Sequence, residues 1–402
     1  MVTLKQADIL IPKDGTDLYK YACVACDQFT GDKEYWAQVD ALSKDAFSTY
    51  NLTFPEIYLG KDDEKRISAI NKTMEEYLIK DMFREIKNSV IYIERTLNNG
   101  KIRKGLVLAC DLEAYEYKKG TQSLIRPTEG TIEDRLPPRV KIRENAPMEL
   151  PHIMLLINDE KKALIEGISQ KDITPIYETE LMQSGGRIKG FKLSEEKAQE
   201  IIDLLYTVDC KKGDNVIRIA VGDGNHSLAT AKKCWENIKA NLTEEEKLNH
   251  PARFALCEVV NLHSEALEFE PIHRILYNVD VDKFLGVLSE NKDENGQKIT
   301  VITKNTAKDF YILPSHCLTV GSIQNIIDAY IEENGGEVDY IHEPEQVEKN
   351  AQADNAVGIL IPGLDKKDLF PAVLENGALP RKTFSMGMGI DKRYYFEARK
   401  IK

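Results

Sequence analysis

The stretch from Val216 to Ala240 constrains the fold of this chain most, because its hydrophobic pattern changes period within a few residues. It opens with a short run of β-branched and apolar residues, which is typical of a buried strand. It closes with apolar residues at helical spacing, which place one face of a helix against a core: Leu228, Ala231, Trp235 and Ile238. The sequence therefore predicts a strand, a tight turn and an amphipathic helix.

The predicted turn consists of Gly222, Asp223, Gly224, Asn225, His226 and Ser227. Two glycines this close allow a sharp turn and a close approach of backbone to ligand, and Ser227, Asp223 or Asn225 is expected to cap the helix. The first turn of the helix offers N–H groups and a positive dipole end, which suit an anion. The simpler alternative is a structural turn with a solvated histidine, since Gly-x-Gly is a short and weak motif. The concentration of polar residue types in one turn favours the anion site.

Length, composition and charge limit the function classes. The chain has 402 residues, enough for two or three domains, and its 42% hydrophobic and 30% charged residues are typical of a soluble globular protein. Its net charge of −12 argues against nucleic acid and anionic membranes as partners, but a local basic pocket can still bind a small anion. Without a long apolar run or a signal-peptide pattern, we expect a cytoplasmic protein. The seven scattered cysteines suit a reducing compartment, and for Cys23 and Cys26 we expect buried thiols over a redox or zinc site.

Strand and helix patterns alternate along the chain, which predicts a mixed α/β (α+β) fold with several domains. The predicted strands are Asp8–Pro12, Ser89–Arg95, Lys104–Asp111, Glu149–Asn158, Ala255–Asn261, Gln297–Thr303, Phe310–Leu313, Ala356–Ile361 and Tyr394–Ala398. The predicted helices are Glu34–Tyr50, Asp62–Lys87, Ser194–Val208, Thr243–Leu248, Asp282–Ser289, Ser322–Glu333 and Lys366–Glu375. We place domain boundaries so that 1–120 is an N-terminal α/β domain, 121–278 a central domain with the turn, and 279–402 a C-terminal α/β domain.

Basic residues outside the turn are candidates for binding the same anion. The stretch from Arg126 to Arg143 mixes five basic side chains with acids and prolines, and arginine suits bidentate recognition of phosphate or carboxylate. The alternative is a solvated, salt-bridged loop. Glu129, in this stretch, is a candidate to hold a metal ion or a proton. The further candidates for the anion are Arg126, Arg135, Arg139, Arg187 in a glycine-containing loop (Gln183–Gly190) that can close over a ligand, His273 and Lys382.

With the turn placed, the chain resembles the bacterial and archaeal family of unknown function numbered 1015 (DUF1015). That family carries an Asp-Gly-His-His-Arg-like turn after a strand, matched here by the residues from Asp223 to Ser227. The Arg126–Arg143, Phe269–Arg274 and Pro380–Gly387 segments also look like family segments, so the resemblance covers nearly the whole chain.

The family turn is in turn similar to the Gly-x-His-Arg turn of the ParB and sulfiredoxin-like superfamily, which includes free-serine kinases. This similarity implies a ParB/sulfiredoxin-like strand–turn–helix core with mixed sheets, whose turn holds nucleotide phosphates. The present chain departs from the pattern, because Ser227 stands where the arginine would be and Asn225 where the first histidine would be. Lys232, Arg135 or Arg187 would then have to supply the missing positive charge.

The leading functional hypothesis is a kinase-like phosphotransferase acting on a small molecule. Phosphoryl transfer needs positioning and positive charge more than covalent chemistry. Gly222, Gly224 and Asn225 would offer backbone N–H groups, and His226 would bind a phosphate oxygen or move a proton. Arg135, Arg139 and Lys382 would neutralise charge, while Asp223 or Glu129 would accept the hydroxyl proton or bind Mg²⁺. The resemblance implies a free amino acid such as serine as acceptor and a nucleotide, ATP or ADP with Mg²⁺, as donor.

Other functions fit the same anion site. One alternative is a phosphatase or other hydrolase acting on a phosphorylated metabolite such as phosphoserine. Another is a nucleotide- or metabolite-binding module without catalysis. A DNA-binding clamp is disfavoured by the net charge of −12 and by the lack of a basic helix-turn-helix pattern. We expect no haem, flavin or structural zinc, and the oligomeric state is left open.

Overall fold

The computed structural model describes residues 2–304 and 306–402, which divide into two compact units. The first unit consists of the chain up to Pro127, Thr131–Leu267 and Met388–Lys402, and the second of Thr128–Gly130 and Glu268–Gly387. Three domains were predicted. The boundary proposed at residue 120 is absent from the described chain because strands from both sides of it pair within one sheet.

Both units contain strands and helices. The strands are β1 Leu4–Lys5, β2 Ala7–Pro12, β3 Phe83–Ser89, β4 Ile91–Thr96, β5 Ile102–Asp111, β6 Ile125–Pro127, β7 Met148–Glu149, β8 Met154–Ile157, β9 Ile173–Glu180, β10 Arg187–Leu193, β11 Cys210–Lys212, β12 Asn215–Ile217, β13 Ile219–Asp223, β14 Phe254–Asn261, β15 Phe269–Pro271, β16 His273–Tyr277, β17 Lys292–Thr303, β18 Thr306–Ile312, β19 Glu337–Ile341, β20 Val357–Leu360, β21 Phe384–Met386 and β22 Arg399–Lys400. The helices are α1 Leu18–Tyr21, α2 Lys33–Ser43, α3 Asp63–Ile79, α4 Leu136–Arg143, α5 Glu195–Leu204, α6 Asn225–Lys239, α7 Glu244–Asn249, α8 Val281–Glu290, α9 Thr319–Asn334, α10 Pro344–Asn350 and α11 Lys366–Asn376. Within the described residues, none of these helices combines the length and the apolar character needed to cross a bilayer.

A large mixed sheet organises the first unit. Its strand order is β6, β13, β8, β14, β5, β4, β10 and β9, with β1 pairing along β5. The β6–β13 and β8–β14 pairs are parallel and the other pairs antiparallel, which confirms the predicted mixed α/β class. Strands β8 and β14 are buried along their whole length, so their sequences read as nearly continuous apolar runs.

Apolar clusters cover both faces of this sheet. One face carries Ile93 and Val107 and packs on side chains from the first 80 residues, such as Trp36 of α2. The other face carries Leu155 and Val221 and packs on α6 and α5. Side chains of neighbouring residues point to opposite faces of a strand, so the apolar side chains on each face of the sheet pack into a cluster of their own. The predicted apolar face of α6 is confirmed, since its members are buried or partly buried against this cluster: Leu228, Ala231, Trp235 and Ile238.

The second unit is built on a smaller sheet. Its strand order is β18, β17, β20, β16 and β19, and each pair in that order is antiparallel. Helices α8 and α9 cover one face, where Phe284 and Ile323 are fully buried. A separate ribbon pairs β15 with β21.

Two predicted helices are too long. The helix predicted over Asp62–Lys87 ends at Ile79, and Phe83–Ser89 is instead a strand that pairs with β2. The helix predicted over Glu34–Tyr50 ends at Ser43. In the first case a partner strand distant in sequence overrides the local helical spacing, as long-range pairing commonly does.

Two predicted non-helical segments also differ. The strand predicted over Tyr394–Ala398 makes isolated bridges, from Tyr394 to Val24 and from Ala398 to Leu10, and no ladder within the described chain. The loop predicted over Gln183–Gly190 is shorter, because β10 begins at Arg187 and pairs with β4 on one side and β9 on the other. Its glycines indicated a flexible segment, but ladder hydrogen bonds on both sides hold it in the sheet.

Truncating Leu155 to alanine will test the central position of β8. Leu155 is fully buried between β13 and β14, so Leu155→Ala should cost about 2–5 kcal/mol of stability. The matched control is Leu248→Ala, whose side chain in α7 is 59% exposed and should change stability by less than about 0.5 kcal/mol. Urea denaturation followed by circular dichroism gives both values, and equal midpoints for the two variants would contradict this packing.

Candidate functional site

The predicted turn links β13 to α6 through a single left-handed residue. Gly224 is the N-cap of α6, with φ at 74° and ψ at 29°. A Cβ on this residue would lie 3.0 Å from Cα of Ile153, so glycine satisfies both the conformation and the space. The Asp223 carboxylate accepts a hydrogen bond of 2.9 Å from the Gly224 N–H and lies 3.2 Å from Nζ of Lys392.

The prediction of a side-chain cap on α6 is wrong. Within the described chain no side-chain hydrogen bond caps this helix at its N-cap residue, because that residue is glycine. The first hydrogen bond of the helix runs from the Leu228 N–H to the Gly224 carbonyl at 2.9 Å. The backbone N–H groups of Asn225, His226 and Ser227 therefore form an uncapped helix start with a positive dipole end.

Positive charge converges on His226 at this helix start. The pKa of His226 is lowered to about 4, first by burial and then by the charges of Arg139 and Arg135, against an opposing effect of Asp27. Its imidazole is therefore neutral at pH 7. Atoms Nε2 of His226 and Oδ1 of Asn225 are buried and have no hydrogen-bond partner among residues 2–304 and 306–402.

Both arginines belong to the segment that packs on α6. Arg139 lies in α4, donates a hydrogen bond of 2.8 Å to the Arg135 carbonyl and forms an ion pair with Glu56. Arg135 precedes α4 and is solvent-exposed. The structure thus brings two predicted arginines together with the predicted turn, and their field favours an anion beside α6.

Ser227 belongs to a hydrogen-bonded series of side chains, and the sequence did not predict these contacts. Its Oγ lies 2.9 Å from Nε2 of His152, and Nδ1 of His152 lies 2.7 Å from the Tyr395 hydroxyl. Oδ2 of Asp27 lies 3.6 Å from the same Nε2. Burial would raise the pKa of Asp27, but the charge of His152, a hydrogen bond from Gln28 and the charge of Lys392 hold it below its usual value. The only local signal was a histidine next to a proline at the edge of an apolar run.

A cavity of about 150 Å³ opens beside these hydrogen-bonded side chains. Ser227 and His152 form part of its wall, and Arg139 and Arg143 line it from α4. Most of the remaining wall is apolar, including Leu52, Phe54, Met74, Ile142, Met148 and Leu150. The helix start therefore borders a space that can hold a small molecule with an apolar part.

Two predicted anion-binding arginines are placed elsewhere in the first unit. Arg126 is 2% exposed and donates hydrogen bonds to the Ser123 carbonyl, to Oδ1 of Asn215 and to the Val216 carbonyl, so its donors hold the backbone around β6 and β12. Arg187, on β10, forms an ion pair with Glu178 of β9. Five strand spacings separate β10 from β13, which is roughly 24 Å across the sheet. Neither arginine joins the turn.

The remaining predicted residues, Glu129, His273 and Lys382, lie in the second unit. Nδ1 of His273 accepts a hydrogen bond of 3.1 Å from the Ile361 N–H, and burial, followed by the charge of Arg274, lowers the pKa of His273. Glu129 forms a backbone bridge with Leu379. For His273 this contact favours a structural role.

Metal binding would need clustered ligands, and redox chemistry would need a reactive thiolate. Across the part of the chain that the structure describes, no group of three or more His, Cys, Asp or Glu side chains is placed to hold a metal ion. Asp223, the carboxylate in the turn, is ion-paired with Lys392. Burial raises the pKa of Cys23 to about 11 and that of Cys26 still further, so both thiols stay protonated at neutral pH.

Comparisons with known proteins give a family and distant structural similarities. The model of a family described as "Protein of unknown function (DUF1015)" matches residues 10–398. No curated protein matches the chain. A mutant free serine kinase in complex with AMP is 11% identical, with 75% of this chain and 93% of that chain covered and a TM-score of 0.41. A conserved hypothetical protein from Pyrococcus furiosus is 11% identical, with 71% and 96% covered and a TM-score of 0.36. These values are too low to transfer an activity to this chain.

Substituting Gly224 will test the left-handed turn. Gly224→Ala should destabilise the protein by more than the roughly 1–2 kcal/mol that an L-residue costs in this conformation, because its Cβ also meets Ile153. Gly213→Ala is the matched control, since Gly213 has φ at 59° and open space around its Cβ. Denaturant midpoints for the two variants separate the cost of the contact with Ile153 from the cost of the left-handed backbone. An equal loss of stability in both variants would show that the contact with Ile153 is relieved without cost.

Titration of His226 will test the convergence of charge. Because its pKa in the folded state lies below the unfolded value of about 6.5, the unfolded state binds the proton first. The histidine's contribution to stability is therefore present above pH 6.5 and is lost as the pH falls towards 4. Arg139→Gln should raise the pKa of His226. Arg187→Gln makes the same change of charge on β10, far from the turn, and should leave the pKa of His226 unaltered. Imidazole NMR shifts measure both, and identical titration curves would remove Arg139 from the site.

Proposed function

Because the chain belongs to the DUF1015 family, which is described as being of unknown function, we propose from its geometry that it is a small-molecule phosphotransferase with its phosphate site at the start of α6. The observation that supports this proposal is that Arg139 lines the same cavity as Ser227 of the helix start, while the charges of Arg139 and Arg135 act on the neutral imidazole of His226. A phosphoryl group in transfer carries its charge on peripheral oxygens, and catalysis consists mainly of positioning and neutralising that charge.

Each part of the site has a task in this proposal. The N–H groups at the helix start, from Asn225 to Ser227, bind phosphate oxygens, as helix N-termini do in many phosphate sites. Arg135 and Arg139 supply positive charge. Nε2 of His226 is a buried polar atom without a partner in the described chain, and a phosphate oxygen would satisfy it.

The donor and acceptor are proposed on the sequence resemblance alone. We keep ATP or ADP as the donor and a free amino acid such as serine as the acceptor. Mg²⁺ commonly binds through nucleotide phosphates with one or two carboxylates, and Asp223 is the carboxylate placed in the turn. The proposed roles of the chain's own residues in binding do not depend on the ion.

A binding and turnover series will test this function. Inorganic phosphate, pyrophosphate, ATP and ADP should each raise the melting temperature of the wild-type protein. Arg139→Gln should weaken binding by roughly 10- to 100-fold, since a hydrogen bond to a charged group contributes about 1.5–3 kcal/mol. Arg187→Gln should bind like the wild type, because that arginine lies in β10.

The same series separates the alternatives. Formation of phosphoserine from ATP and serine would support the transferase, and phosphate release from phosphoserine without nucleotide would support a hydrolase. Tight nucleotide binding without turnover would support a binding module. If none of the anions shifts the melting temperature, the start of α6 is not a phosphate site.

A further inference from the structure

The hydrogen-bonded chain at Ser227 is not needed to bind an anion. Binding uses backbone N–H groups and arginines, whereas Ser227, His152 and Tyr395 form a separate series of contacts of 2.9 and 2.7 Å. A hydroxyl within hydrogen-bond reach of an imidazole, which is in turn oriented by a third group, is the usual arrangement of an activated nucleophile. This arrangement stands in the first turn of α6, where the proposed phosphate would bind.

Whether His152 acts as a base depends on which of its ring nitrogens carries the proton. The Tyr395 oxygen accepts a hydrogen bond of 3.1 Å from the Cys26 N–H, and it lies 2.7 Å from Nδ1 of His152. In the proposed tautomer, Nδ1–H of His152 donates to the Tyr395 oxygen. Nε2 then carries the lone pair that accepts the Ser227 hydroxyl proton.

The surroundings of His152 suit a group that gains a positive charge. Oδ2 of Asp27 lies 3.6 Å from Nε2, close enough to stabilise the imidazolium formed on proton transfer. His152 itself is 9% exposed, and Tyr395 is 1% exposed. The two ends of the ring are therefore held in place, one by Tyr395 and the other between Ser227 and Asp27.

Resting on the proposed phosphate site, we propose that Ser227 is the nucleophile and becomes phosphorylated in the course of the reaction. The 2.9 Å contact between Ser227 and His152, at the wall of the 150 Å³ cavity, is the juxtaposition that points to it. The substrate class is a phosphoanhydride, or a phosphate monoester with a small organic group.

The reaction then has two balanced steps. In the first, Ser227 Oγ forms a bond to phosphorus, the bond from phosphorus to the leaving oxygen breaks, and the hydroxyl proton passes to Nε2 of His152. His152 can give that proton to the leaving oxygen. In the second, the acceptor hydroxyl gives its proton to His152 and attacks phosphorus, and Ser227 Oγ leaves and takes the proton back. Water in place of the acceptor gives hydrolysis by the same route.

Peptide mapping of the phosphorylated wild-type protein is the direct test. The full chain is incubated without acceptor, either with ATP labelled on its terminal phosphate or with p-nitrophenyl phosphate, then quenched in acid and digested. We expect a phosphoryl group on the peptide that contains Ser227, and we expect it to be lost when serine is added. A label on another residue, or none while phosphoserine is still formed from ATP and serine, would overturn the proposal. This result does not depend on whether any variant folds.

Variants separate the nucleophile from the fold. Ser227→Ala should lose the label while inorganic phosphate still raises its melting temperature. The matched control is Ser194→Ala, which removes another helix-start serine, the N-cap of α5. It should lose some stability and keep the label. Transfer to serine at the wild-type rate in Ser227→Ala would overturn the covalent step and leave the phosphate site intact.

Variants of His152 and Tyr395 test the base and its positioning. His152→Ala should slow labelling by roughly 10²- to 10⁴-fold, and free imidazole should restore part of the rate in this variant but not in Ser227→Ala. Tyr395→Phe keeps the ring and removes the hydroxyl, so it should slow labelling with little change in phosphate affinity. Unchanged labelling in His152→Ala would remove His152 as the base. If the wild type binds neither phosphate nor ATP, the proposed function fails first, and the two failures are thereby distinguished.

Discussion

The left-handed backbone of Gly224 is the constraint on which the site depends. β13 is paired on both sides, with β6 and with β8, and its residues Ile219 and Val221 are fully buried. α6 is fixed at its other end, where buried Trp235 donates a hydrogen bond of 2.5 Å to Glu113. Between these two packed elements, Gly224 determines where the first N–H groups of the helix point. Groups held this way need no reorganisation when a ligand arrives.

The charge that acts on His226 is opposite in sign to the net charge of the protein. The protein carries a net charge of −12, yet Arg135 and Arg139 dominate the field at His226 after burial is taken into account. Burial and this field together keep the imidazole neutral, and the field also attracts an anion. A bound phosphate would offset the two guanidinium charges and raise the pKa of His226, so anion binding and proton uptake at this residue are thermodynamically linked.

The sequence predicted what depends on local spacing. The strand, the turn and the apolar face of α6 follow from periods of two and 3.6 residues. The packing of Arg135 and Arg139 near the turn could only be suspected from residue type. Arg126 and Arg187 look the same in sequence, yet one is buried by hydrogen bonds to backbone and the other is paired across the sheet edge.

Contacts between distant residues lay beyond the sequence. Ser227 meets a histidine 75 residues earlier in the chain, and that histidine meets a tyrosine 243 residues later. Neither spacing has a motif, because such contacts are set by the order of strands in the sheet and by the return of the C-terminal segment to the first unit. The domain boundary at residue 120 failed for the same reason, since β5 and β14 pair across it.

The glycine N-cap leaves the N–H groups of the helix start open beside the contact between Ser227 and His152. A serine, threonine or aspartate at the N-cap would bond to the N–H of the second or third helical residue, which are His226 and Ser227 here. Gly224 leaves those groups open, and the Ser227 hydroxyl lies 2.9 Å from Nε2 of His152. Glycine gives up only a few tenths of a kcal/mol relative to a capping side chain. At the start of α6, uncapped donors and a hydroxyl–imidazole contact lie together, and departures from local rules are expected at functional sites.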